Sequence, residues 1–120
     1  MIIEIPWPGK LLWPNGSRGK PKAVAAVRKK YKDDVSYLAI MARQQFGVPA
    51  EDGEIPIKLI VHAKPKGPLP DKDNCVAAIK SALDAIAGQI GVNDQRFAAP
   101  VVEFATPRNG TMRIYLGESA

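Results

Sequence analysis

Apolar positions in this chain switch between two spacings, and the switches mark out its elements. Ile2 to Pro6 is a short apolar run that predicts a strand. Residues 7–22 are rich in Pro, Gly and Lys and predict an extended loop. From Pro21, the positions Val24, Val27, Tyr31, Val35, Leu38 and Ala42 step by three or four, which lines one face of a helix. Pro21 suits a first helical turn, and Gly47 with Pro49 stops the helix. Ile55, Ile57, Leu59, Val61 and Ala63 then alternate with Lys58, His62 and Lys64, as in a strand with one buried face. Residues 64–70 (Lys-Pro-Lys-Gly-Pro-Leu-Pro) extend no regular element and deliver the chain to Asp71. A second helix is predicted from about Lys72 to Gln89 on the stripe Val76, Ile79, Leu83, Ile86 and Ile90, with Gly91 ending it. Residues 101–106 and 111–116 alternate again, and Asn109-Gly110 between them predicts a hairpin.

The order β-α-β-α-β-β predicts an α/β (α+β) fold with a mixed sheet and helices packed on it. No repeat, low-complexity segment or linker interrupts it, so residues 1–120 read as a single compact domain. Cys75 is the sole cysteine, which excludes an intramolecular disulfide, and with His62 the sole histidine no zinc site of the usual kind is available. Residues 1–6 lack the basic and apolar regions of a signal peptide, and the apolar stretch from Cys75 to Val92 is broken by Lys80 and Asp84, so no membrane span is expected. A cytoplasmic protein is the expectation. The 17 Lys and Arg against 12 Asp and Glu give a net charge of +5. That suits a polyanionic partner such as DNA or RNA, and it suits mere solubility equally.

Acidic residues sharpen the reading. Asp71, Asp73 and Asp94, with Lys80 between them, fall within one short stretch of a basic chain. Carboxylates weaken binding on a surface meant for a polyanion, so their gathering points to a bound cation, with Mg²⁺ first. On an ideal helix Asp73, Lys80 and Asp84 lie within roughly 20° of one line, about 100° from the centre of the core stripe, where a cleft wall would stand. Two or three carboxylates and a phosphate oxygen satisfy Mg²⁺, which promotes phosphodiester hydrolysis, while a nearby lysine stabilises the developing charge. Asp84, one turn beyond Lys80, is expected to pair with it. Singly, each acid has a plainer reading: Asp71 or Asp73 as a helix cap, Asp94 as a turn residue.

Asp71-Lys72-Asp73-Asn74, then Lys80-Ser-Ala-Leu-Asp84-Ala-Ile, then Asn93-Asp94-Gln95 resemble the RusA family of Holliday junction resolvases. Ile5-Pro6-Trp7-Pro8 and Trp13-Pro14-Asn15 resemble that family's N-terminal proline-rich motif. The resemblance implies a homodimeric, Mg²⁺-dependent endonuclease, with Mn²⁺ as a substitute, that resolves four-way DNA junctions by paired symmetric nicks in recombination and repair. It implies Asp71, Asp73 and Asp94 as metal ligands, Lys80 as the catalytic lysine, and a bacterial or bacteriophage host, with no membrane partner or small-molecule cofactor. Two positions depart from the family pattern. Lys80 follows Asp73 by seven residues where about one helical turn is usual, and Asn93 stands where a further Asp is common. The displaced lysine motivates an alternative: a structure-specific DNA-binding protein with weak or lost nuclease activity. An unrelated RNA-binding domain is a third reading.

The densest basic run includes Lys20, Lys22, Arg28, Lys29, Lys30 and Lys32, and beside a nuclease site it reads as a phosphate-binding face. Lys64, Lys66, Lys72 and Arg96 flank the acids and could guide a backbone toward them. Trp7 and Trp13 read as core caps or dimer contacts rather than base-stacking platforms, His62 as a surface or supporting residue, and Cys75 as a small buried apolar side chain.

Overall fold

The structure, a computed structural model, describes residues 1–50 and 52–117. Its elements are β1 (Ile2–Ile5), a 3₁₀ turn (Lys10–Leu12), α1 (Pro21–Phe46), β2 (Ile57–His62), α2 (Lys72–Ala78), α3 (Lys80–Ile90), a second 3₁₀ turn (Asp94–Arg96), β3 (Val101–Phe104) and β4 (Thr111–Leu116). The four strands make one mixed sheet in the order β1-β4-β2-β3, antiparallel except where β2 pairs with β3. This is a single α+β domain. No helix among the described residues is long and apolar enough to cross a membrane.

Alternation in the strands decides which face is covered. Ile3, Ile5, Ile57, Leu59, Val61, Val102, Met112, Ile114 and Leu116 are buried together with Val35 and Ala39 of α1 and Ile79, Ile86 and Ile90 of the α2–α3 segment. Each fully buried Leu or Ile contributes roughly 1.5–3 kcal/mol of transfer free energy. The opposite face carries Glu4, Lys58, Glu103 and Arg113, paired as Glu4–Arg113 at 3.3 Å and Lys58–Glu103 at 3.6 Å. Pro21 opens α1, and the helix closes at Gly47, whose φ of 76° a residue with a Cβ rarely adopts. α1 packs on α3 and β1. Tyr31 locks that packing by donating its hydroxyl to the Pro6 carbonyl at 2.7 Å, and burial pushes its phenol well above the usual range, so it stays a neutral donor.

Three expectations are corrected. The helix predicted from Lys72 to Gln89 is two helices. Helical geometry lapses at Ile79 (φ −98°, ψ 7°) alone; its N–H still bonds to Cys75 O at 3.2 Å and its carbonyl still accepts the Leu83 N–H at 3.0 Å. Ile79 is fully buried, so the core fixes this residue and the backbone turns around it. The hairpin at Asn109-Gly110 does not form, because β2 lies between β3 and β4. Skipping one strand spans about 10 Å, beyond a two-residue turn. Residues 105–110 cross the end of β2 instead. They are tied down by Ala105 N–H to Val61 O (2.9 Å), Gly110 N–H to Ala63 O (3.1 Å) and the His62 ring to Pro107 O (2.9 Å). His62 is therefore a buried anchor of the crossover, not a surface residue.

Candidate functional site

The loop leaving β2 turns into α2 at Asp71, which caps the helix: its Oδ1 accepts the Asp73 N–H at 2.8 Å. This Asx cap fixes the Asp71 carboxylate at the start of a short helix, two residues before Asp73, and both acids are exposed. Lys72, between them, extends over the Phe104 ring with Nζ 6.0 Å from its centroid. The acidic pair thus stands at the C-terminal ends of the parallel strands β2 and β3. Cys75 lies beneath, buried; burial and the Asp71 carboxylate push its thiol up to about 11. A thiol held protonated is a poor nucleophile. Iodoacetamide should therefore label native protein at pH 8 far more slowly than urea-unfolded protein, by at least about tenfold. Equal rates would show that the thiol is accessible and ionisable.

Asp94 lies elsewhere. It opens the 3₁₀ turn after α3, which Asn93 caps by accepting the Gln95 N–H at 2.9 Å. That turn leads into Phe97, which pairs with Ile55 at the N-terminal entry to β2. From Phe97 to Phe104 the chain climbs about 23 Å at strand rise, so Asp94 and the Asp71–Asp73 pair stand at opposite ends of the parallel strands. Among the described residues, no three or more His, Cys, Asp or Glu side chains are grouped closely enough to hold a metal ion. The structure brings Asp71 and Asp73 together and leaves Asp94 apart.

Lys80 opens α3 on the wall of a cavity of about 320 Å³, which Leu12, Arg28, Ala77, Ser81 and Asp84 also line. The line drawn through Asp73, Lys80 and Asp84 does form a cleft wall where it passes Ala77, Lys80 and Asp84. The expected Lys80–Asp84 pair, however, does not close. At the same i,i+4 spacing on α1, Lys29 reaches Asp33 at 3.1 Å and Lys30 reaches Asp34 at 3.0 Å. Ion pairing thus divides the acids. Asp33, Asp34, Glu4 and Glu103 all have cationic partners, while among the described residues Asp52, Glu54, Asp71, Asp73, Asp84 and Asp94 have none.

Of the basic residues singled out above, Lys20, Lys22 and Arg28 are exposed on the first turns of α1 or just before it, and Lys29 is held by Asp33. Arg96 donates its Nε–H to Gly53 O at 3.1 Å. Lys64 and Lys66 line a second, shallower cavity of about 220 Å³ with Trp7, Trp13 and Pro70, next to Asp71 in sequence. There the indoles stack at 5.7 Å between centroids, Trp13 Nε1–H donates to Pro8 O at 2.9 Å, and Lys64 Nζ lies 5.8 Å from the Trp7 ring centre. Both indoles pack against the core while keeping a partly exposed face. Sequence reasoning had not joined Arg28 of α1 to Lys80 and Asp84; no local spacing carries a contact between residues so far apart.

No family model matches the chain. An uncharacterized protein of Xylella fastidiosa (strain Temecula1 / ATCC 700964) is 32% identical over 109 residues, covering 84% of this chain and 65% of that protein. The chain thus spans somewhat less than two thirds of that relative's length.

Proposed function

We propose that the protein is a divalent-cation-dependent endonuclease that nicks four-way DNA junctions, acting as a homodimer. The observation that carries this reading is the unpaired state of Asp71 and Asp73. In a chain with 17 Lys and Arg, two exposed acids stand two residues apart at one helix start, the Asp71 carboxylate is fixed by its cap, and among the described residues neither acid has a cationic partner. Mg²⁺ needs only one or two carboxylates when substrate phosphate and water complete its shell, so this donor pair fits it. Asp71 and Asp73 would hold the ion, and Asp94 enters the set only through the family resemblance. When bound, the ion supplies charge neutralisation at the scissile phosphate and lowers the pKa of an attacking water.

The chain's own residues do the rest. Lys64, Lys66 and Lys72 flank the acids and draw the backbone toward them by screened attraction. Lys80 supplies positive charge where negative charge builds on the phosphate. A four-way junction has two-fold symmetry and requires two matched cuts, which a symmetric dimer delivers.

The test is a synthetic mobile four-way junction incubated in Mg²⁺ or in EDTA, with linear duplex as control. Paired, symmetric nicks in the junction alone and in Mg²⁺ alone are expected. The separation of Asp94 from Asp71 and Asp73 favours one second reading, a structure-specific DNA-binding protein with weak or lost nuclease activity. Tight junction binding in EDTA with no nicking in Mg²⁺ at any protein concentration would select it.

A further inference from the structure

The cavity beside Lys80 has features that the acidic pair does not explain. Arg28 faces it from α1, and Lys80 and Asp84 face it from α3. Among the described residues none of the three has a hydrogen-bond or ion-pair partner. Ser81, on the same wall, is only 5% exposed, and its Oγ is buried with no hydrogen-bond partner. A serine in a helix commonly returns its proton to the carbonyl one turn back. Ser81 does not, although leaving a buried hydroxyl unsatisfied is costly. Two cations without partners face one space across from a single carboxylate, with a stranded hydroxyl buried in its wall.

We infer that this cavity is a phosphate-binding subsite, in which Arg28 and Lys80 hold a phosphate group of a nucleic-acid backbone and the Ser81 hydroxyl, buried in the wall of the empty cavity, turns outward to donate to it. Taking the phosphate to be that of nucleic acid rests on the function proposed above; the anion chemistry does not. Arginine's planar fork suits two phosphate oxygens at once, while lysine acts as a point charge. Asp84 opposes the anion and keeps the empty cavity from carrying two uncompensated cations. The inference therefore predicts opposite signs for two neighbouring substitutions. Removing Arg28 weakens phosphate binding; neutralising Asp84 strengthens it.

The experiment is a nuclear magnetic resonance titration of ¹⁵N-labelled full chain in EDTA, with inorganic phosphate, then the dinucleotide d(TpT), and chloride at matched ionic strength. Saturable shifts of the Lys80 and Ser81 amides and of the Arg28 side-chain N–H are expected with both phosphate ligands and not with chloride. Arg28→Gln should weaken binding by about tenfold or more, as loss of a charge-assisted pair implies. Asp84→Asn should tighten it by about threefold. Ser81→Ala should weaken phosphate binding while leaving thermal stability equal or higher, a split that a purely structural serine would not show. Shifts confined to other residues, unchanged affinity in Arg28→Gln, or weaker binding in Asp84→Asn would each overturn the site. Response to inorganic phosphate but not to d(TpT) would overturn its assignment to a nucleic-acid backbone. Because metal and cleavage play no part, these outcomes stand apart from the success or failure of the nuclease reading.

Discussion

Asp73→Asn is expected to bind a four-way junction as tightly as the unaltered protein and to nick it at least about 100-fold more slowly in Mg²⁺, the scale on which a misplaced metal or a lost charge-stabilising contact is felt. The fold should not suffer. The Asp73 side chain is exposed and accepts no hydrogen bond among the described residues, and the contact it shares with Asp71 runs through its own backbone N–H, which asparagine keeps. What changes is one negative charge at a place where Asp71 alone cannot neutralise a divalent ion. Junction affinity measured in EDTA and nicking measured in Mg²⁺ separate the two effects. Nicking at near the unaltered rate would remove Asp73 from the metal-binding pair. Loss of binding and nicking together would assign it to DNA contact.

The sequence disclosed elements more readily than their neighbours. α1 was legible from end to end because an amphipathic stripe, a proline in the first turn and a glycine at the stop all agree on one helix. The break at Ile79 was hidden because Val76, Ile79 and Leu83 keep helical spacing across it, and neither Gly nor Pro marks the interruption. Asn109-Gly110 misled for the opposite reason. A local turn signal was strong, but β2, nearly fifty residues earlier in the chain, takes the place beside β4 that a hairpin partner would need. The site followed the same divide. Asp71 and Asp73 are neighbours by local geometry, and the cap reading of Asp71 holds. The distance to Asp94 and the approach of Arg28 to Lys80 depend on how α1, α3 and the sheet pack, which spacing alone does not encode. Asp84 is the instructive case: the i,i+4 rule holds for two pairs on α1, yet the same spacing on α3 leaves both charges facing a shared cavity.

Leu59→Ala is expected to produce the largest loss of stability among single truncations in β2. Leu59 sits mid-strand in β2, in register with Val102 of β3 on one side and Ile114 of β4 on the other, and all three are buried. The helices close the space above it, so the hole left by truncation has little room to collapse. Such substitutions cost about 2–5 kcal/mol, set by lost transfer free energy and the residual cavity. A fold of this size holds only about 5–15 kcal/mol in total, so a large fraction disappears and the melting temperature should fall by roughly 10 °C or more. Urea unfolding should show a lower midpoint with an unchanged slope. A loss below about 1 kcal/mol would contradict the central position of β2. The same variant also separates scaffold from chemistry. β2 delivers the chain through residues 63–70 to Asp71, so below its lowered melting temperature the folded Leu59→Ala protein should nick junctions at close to the unaltered rate per folded molecule. A rate that fell with the strand intact would mean that the acidic pair depends on core packing as well as on its own cap.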